Sequence, residues 1–173
     1  MKHAFPSRAR LAVLAALALV AIPFAAAEPV WISANDLKPA QITAPAVFES
    51  FTLKASAEKG ITVEAIDPVR TAEDGEIFNV RIKLNGSGTP DYRSIRFKAS
   101  GGAMLKVYLN SSSKTDARVL KLVDESGAVL VELAAPPDDG AKAGMVSFVL
   151  PAEGEYCVFS ANSGINIYMV VLQ

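Results

Sequence analysis

Apolar and polar residues alternate every second position through ten separate stretches of this sequence, a pattern that no helix can bury on one side. In an extended chain successive side chains point to opposite faces, so alternation marks a strand with one buried face. Phe51, Leu53 and Ala55 alternate with Thr52 and Lys54; Phe78, Val80, Ile82 and Leu84 alternate with Asn79, Arg81 and Lys83. The same pattern runs through Ile61 to Val63, Ile95 to Phe97, Leu105 to Leu109, Val119 to Val123, Val129 to Leu133, Val146 to Leu150, Tyr156 to Ser160 and Ile165 to Val171. Gly, Ser, Asn or Pro separates nearly every pair, and no helical stripe intervenes. Short strands at such spacing predict an all-β fold, an antiparallel two-sheet β-sandwich of jelly-roll type.

Turn chemistry agrees with that expectation. Asp124-Glu125-Ser126-Gly127 and Ser100-Gly101-Gly102 supply residues that tolerate positive φ and are read as tight hairpins. "PPDDGAKAG", Pro136 to Gly144, is a longer connection whose prolines exclude a central strand. Its Asp138 and Asp139 are read as a solvated turn, because calcium needs six or more oxygens and the neighbours offer few. "SFTLKASAEKGITV" (Ser50 to Val63) and "SIRFKASGGAMLKV" (Ser94 to Val107) share a Lys-Ala-Ser corner between two alternating runs, either one hairpin design used twice or convergence of similar strands.

The first 27 residues stand apart. Lys2, Arg8 and Arg10 precede an apolar run from Leu11 to Phe24, followed by Ala25, Ala26 and Ala27. That is the pattern of a cleaved secretory signal peptide, residues 1–27. The run is broken by Pro23 and falls short of the ~20 residues of a spanning helix, so no transmembrane anchor is expected after processing. Residues 28–173 then form a single β-sandwich domain, periplasmic or secreted.

What remains lacks the groups that move protons. The sole histidine, His3, lies in the signal segment. Without imidazole there is no Ser-His-Asp or Cys-His relay and no His-ligated zinc. Cys157 is alone, within the apolar Tyr156-Cys157-Val158-Phe159, and reads as a small buried hydrophobe. The chain is expected to be no enzyme, with no cofactor and no bound metal.

Charge is unevenly placed. Six basic residues and one acid, Asp91, lie between Arg81 and Lys106, whereas acids dominate elsewhere. If the three strands of this segment are neighbours, Arg81, Lys83, Arg96, Lys98 and Lys106 form a cationic sheet face, with Tyr108 beside Lys106. Such a face suits an anionic partner or serves only to keep edges soluble. Nucleic acid is excluded by export and by the net negative charge.

"YRSIRF" (Tyr92 to Phe97), "KVYLNSSSKTDARVLKLVDESG" (Lys106 to Gly127) and "SGINIYMVVL" (Ser163 to Leu172), with "ISANDL" and "FTLKAS" earlier, resemble the non-catalytic β-sandwich module appended to bacterial pectate lyases and related pectin-degrading enzymes. The resemblance implies a sandwich that accompanies breakdown of acidic polysaccharide, holding glycan or assisting a secreted enzyme or envelope protein. It implies ligand contacts at Arg93, Ser94, Tyr108, Ser111, Ser112, Ser113, Arg118, Asn166 and Tyr168. The sequence departs from that pattern where Cys157 and Met169 replace aromatics and where Ala117 separates Asp116 from Arg118.

Two readings of the arginines follow. Arg93 shares strand parity with Ile95 and Phe97, and Arg118 shares it with Leu120 and Leu122, so both are placed at a rim of the sandwich. There they present bidentate donors to a uronate carboxylate, while the serines and Asn166 bond sugar hydroxyls and Tyr108 or Tyr168 offers a ring face. Alternatively they satisfy loop carbonyls and the acids Asp91 and Asp116, leaving a structural or protein-interaction module without glycan affinity.

Overall fold

A computed structural model describes residues 28–173; the expected signal segment lies outside the described residues. Among the described residues thirteen strands form two antiparallel sheets, with a single 3-10 turn at Ala34–Asp36. The first sheet contains β1 (Val30–Ser33), β2 (Ala40–Ile42), β5 (Ile61–Thr71), β6 (Ile77–Leu84), β8 (Met104–Ser111), β11 (Gly144–Val149) and β13 (Ile165–Leu172). Its order is β11-β8-β13-β6-β5-β2, and β1 pairs with the second half of β13. The second sheet, in order β10-β9-β12-β7-β4-β3, contains β3 (Ala46–Phe48), β4 (Phe51–Lys54), β7 (Ser94–Ala99), β9 (Arg118–Asp124), β10 (Val129–Ala135) and β12 (Gly154–Ser160).

The expected sandwich is therefore the observed one, and the alternation explains why. Phe51, Leu53, Ile82, Leu84, Ile95, Leu105, Leu109, Leu120, Leu122, Val158, Ile165 and Ile167 are all fully buried between the sheets. Each such side chain contributes about 1.5–3 kcal/mol relative to exposure. Cys157 is 3% exposed, as a buried hydrophobe should be, and burial raises its thiol pKa. No helix among the described residues is long and apolar enough to cross a membrane.

Several local expectations are corrected. The segment from Arg81 to Lys106 does not form adjacent strands: β7 belongs to the second sheet, and β13 separates β6 from β8 in the first. The five basic residues are accordingly divided. Arg81, Lys83 and Lys106 lie on one sheet, Arg96 and Lys98 on the other. Ser100 to Gly102 is a crossing between sheets, not a hairpin, because β7 and β8 have different partners. The Lys-Ala-Ser similarity marks two such crossings, β4 to β5 and β7 to β8.

The outer face of the first sheet is not bare. The far end of the β5–β6 hairpin folds over it, after a register shift between Ala65 and Arg70, and meets the 136–143 loop through the Thr71–Lys142 bridge. Beneath lies a second apolar cluster in which Phe78 stacks on Tyr168 at 5.3 Å and 17° and tilts against Tyr108 at 5.3 Å. Asp138 is not a solvated turn residue but a buried partner of Arg70 in this layer that also accepts from Gly140 N; the exposed Asp139 caps the turn, accepting from Ala141 N and Lys142 N.

Candidate functional site

Strand register gathers five loops at one end of the sandwich. Lys54 lies opposite Ser94, Ile61 and Ile165 both lie opposite Leu84, Ser111 lies opposite Ile165, and Leu120 lies opposite Ser160. Segments 55–60, 85–93, 112–117, 136–143 and 161–164 therefore all turn at that end. Arg93 and Arg118 both stand there.

Arg93 does not occupy the strand that alternation assigns to it. β7 starts at Ser94, and Arg93 precedes it with φ of +51°, a left-handed conformation that costs a residue with a Cβ about 1–2 kcal/mol. The reason is the turn before it, where Thr89 N donates to Tyr92 O at 3.0 Å and Tyr92 N donates back to Thr89 O at 3.3 Å. Glycines make room for the result. A Cβ on Gly86 would stand 2.6 Å from Arg93 Nη1, and one on Gly88 would stand 2.5 Å from Arg93 O. The guanidinium thus lies against the chain at Gly86.

Among the described residues that guanidinium has no internal partner. Its Nε is enclosed without a hydrogen bond, and among the described residues it enters no ion pair, not even with Asp91. The other four described arginines are all engaged. Arg70 binds Asp138, Arg81 binds Glu64 at 2.6 Å, Arg96 binds Glu155 at 2.5 Å, and Arg118 Nη1 donates to Ser112 Oγ and Gly164 O. Beside Arg93, Lys59 places Nζ 6.0 Å from the centroid of the half-buried Tyr92 ring and likewise enters no ion pair. Lys59 and Tyr92 escaped the sequence reading. Tyr92 adjoins Arg93 and was within reach; Lys59 comes from the remote 55–60 loop and carried no local signal.

The remaining candidates are dispersed. Ser94 is fully buried and donates Oγ to Pro90 O at 3.2 Å. Ser111, also fully buried, accepts from Ser113 N at 3.0 Å, while Ser113 bonds Asp116 and closes the 112–117 turn. Ser112 is exposed and receives Arg118. Asn166 is fully buried under the β5–β6 hairpin, where its Nδ2 donates to Asp138 Oδ2 at 3.3 Å. Tyr168 is fully buried and Tyr108 is 3% exposed, so neither presents a ring face to solvent. Burial first, then the negative charge of Asp138, raises the Tyr168 pKa; burial and the hydrogen bond to Asp74 raise that of Tyr108. The basic set is mostly paired: Arg81 and Lys83 with Glu64, Arg96 with Glu155, and Lys106 with Asp74 at 3.7 Å. Lys98 is exposed.

The arrangement holds a half-buried guanidinium, a half-buried aromatic ring and an exposed lysine at one end of the sandwich.

The chain matches no family model and no curated protein. Among solved structures it is similar to the K1 cleaved adhesin domain of Lys-gingipain from Porphyromonas gingivalis W83, with 10% identity over 85% of this chain and 98% of that one, at a TM-score of 0.54. It is also similar to a family 35 carbohydrate binding module from Clostridium thermocellum, with 11% identity over 84% and 98% of the two chains at 0.47. A third similarity is to the CBM51-2 and INT domains of Clostridium perfringens ZmpB in complex with GlcNAc, with 10% identity and a TM-score of 0.42 over 83% of this chain but about a third of that one (32%). At such identities the likeness is one of fold: a two-sheet antiparallel β-sandwich.

Proposed function

We propose that the protein is a non-enzymatic β-sandwich that binds acidic, uronate-type polysaccharide at its loop-bearing end. It would act outside the cytoplasm, alone or beside a secreted enzyme or envelope protein. The observation that carries the reading is Arg93, whose guanidinium alone among the described arginines has no internal partner. A guanidinium with no internal acceptor keeps charged donors for a ligand, and a planar carboxylate offers oxygens that suit it. Lys59 adds a second positive charge, and the Tyr92 ring offers an apolar surface for a sugar face. The resemblance to modules of pectin-degrading enzymes agrees with that ligand class. Arg118, whose donors serve Ser112 and Gly164, is assigned to holding the rim together.

The test is affinity electrophoresis of residues 28–173 through gels containing polygalacturonate or a neutral glucan, at low and moderate salt. Retardation by polygalacturonate that weakens with salt supports the reading, since exposed charges are screened within about 10 Å at 0.1 M. Free migration in polygalacturonate at low salt refutes it.

A further inference from the structure

The opposite end of the sandwich carries a groove of about 380 Å³ lined by Trp31, Ile32, Ser33, Asp36, Leu37, Phe48 and Glu49. Its volume lies within the ~300–1,000 Å³ range of small-molecule sites. Trp31 comes from β1, which pairs with the last residues of β13, whereas the Arg93 rim adjoins the first residues of that strand. About 20 Å of strand separates the two places.

Trp31 is 49% exposed, although its indole is the largest apolar surface the chain possesses and a sandwich core is available to bury it. Ile32, its neighbour on β1, is buried in that core at 4% exposure, whereas Val30 and Trp31 at the start of the strand are exposed. Leu37 and Phe48, which line the groove with Trp31, are half-buried and pack on the main core. The polar lining is one-sided. Asp36 and Glu49 contribute carboxylates and no lysine or arginine lines the groove itself, although Glu49 also borders the neighbouring surface that holds Arg96 and Lys98. Glu49 also stands at φ of +50°, in the two-residue Glu49–Ser50 loop between Phe48 and Phe51, where glycine is the usual occupant.

We infer that this groove is a second glycan subsite, selective for neutral sugar units. An indole face takes the apolar C–H face of a pyranose, and carboxylates accept strong hydrogen bonds from its hydroxyls. The same carboxylates repel a uronate, while Arg96, the nearest arginine beyond Glu49, is already paired with Glu155. The groove and the Arg93 rim thus favour opposite ligand chemistries from opposite ends of one domain. The inference stands on Trp31, Asp36 and Glu49 and does not require the Arg93 reading.

Because Trp31 is the only tryptophan in the chain, its fluorescence reports the groove directly. The experiment titrates residues 28–173 with gluco-, xylo-, galacto- and manno-hexasaccharides and with hexagalacturonate, following emission and, in parallel, heat. A neutral hexasaccharide should quench or blue-shift the emission, with affinity unchanged in Arg93→Gly. By calorimetry, Trp31→Ala and Glu49→Gly should each weaken that binding by about tenfold. Glu49→Gly removes a carboxylate at a position glycine favours, so loss of binding there cannot be blamed on unfolding. Silence of Trp31 toward all four neutral sugars, a response to hexagalacturonate alone, or an emission change that follows protein concentration without sugar would each overturn the inference. The last would assign the groove to a second copy of the chain.

Discussion

Arg70 Nε donates to Asp138 Oδ1 across 2.6 Å, joining the folded-over end of the β5–β6 hairpin to the 136–143 loop, with only 8% and 10% of the two side chains exposed. Arg70 Nη2 reaches Asp138 Oδ2 at 3.2 Å, and Asn166 Nδ2 donates to the same oxygen. Removing one partner leaves the other charge buried and uncompensated. Asp138→Ala should therefore cost about 3–5 kcal/mol in urea unfolding. A loss within 1 kcal/mol would show that the hairpin end is not fastened by this pair.

The second fastening of that layer depends on pH. Tyr108 Oη donates to Asp74 Oδ2 at 2.6 Å and holds the Asp74 carboxyl below its ordinary range; burial opposes this, and the Glu76 amide and Lys106 assist it. A depressed folded pKa contributes stability above the unfolded value of about 4, which is lost as pH falls through the folded value. Tyr108 and Tyr168 shift the other way, so their contribution is intact below about pH 10 and declines as pH rises beyond it. Tyr108→Phe should flatten both limbs of the stability profile and Tyr168→Phe only the alkaline one. Melting temperatures from pH 3 to 11, followed by circular dichroism, provide the check.

Tyr168→Phe carries a further expectation at neutral pH. Among the described residues the buried Tyr168 hydroxyl makes no well-formed hydrogen bond, with only the Arg70 guanidinium near it, although its ring stacks on Phe78. Removing an unsatisfied hydroxyl while keeping the ring should stabilise the protein by up to about 1 kcal/mol. Destabilisation would mean that the hydroxyl is satisfied in solution.

Arg118 and Arg93 should respond oppositely to truncation. Arg118→Ala removes donors to Ser112 Oγ and Gly164 O and should cost about 1–3 kcal/mol, with uronate affinity retained in the folded fraction. Calorimetric titration beside thermal melting separates the two effects, and a selective loss of affinity would move Arg118 into the binding site.

The sheets were readable from alternation because a two-faced strand must bury one face whatever its neighbours are. β1, β2 and β3 were missed, since strands of three or four edge residues such as Ala40–Ile42 bury too little to show a period. Partner choice was not readable at all. Arg81, Arg96 and Lys106 are near in sequence yet fall on two sheets, since strand order is set by inter-sheet crossings that carry no local pattern. Tyr108, Asn166 and Tyr168 have the parity of outward residues, but the β5–β6 hairpin end covers that face. Parity gives the side of a sheet; it does not say what lies over it. The placement of Arg93 at the rim was inferred from its neighbours, whereas its left-handed backbone came from the Thr89–Tyr92 turn.

The backbone at Arg93 supplies the most direct measurement. Arg93→Gly removes the guanidinium and relieves the left-handed strain, so it should raise stability by about 1 kcal/mol. The same variant should bind hexagalacturonate at least about tenfold more weakly than the unaltered protein by isothermal titration calorimetry, as expected for loss of a charge-assisted contact. Higher stability with lost affinity is the predicted pair of results. Undiminished affinity in Arg93→Gly, or no heat of binding from the unaltered protein, would contradict the account.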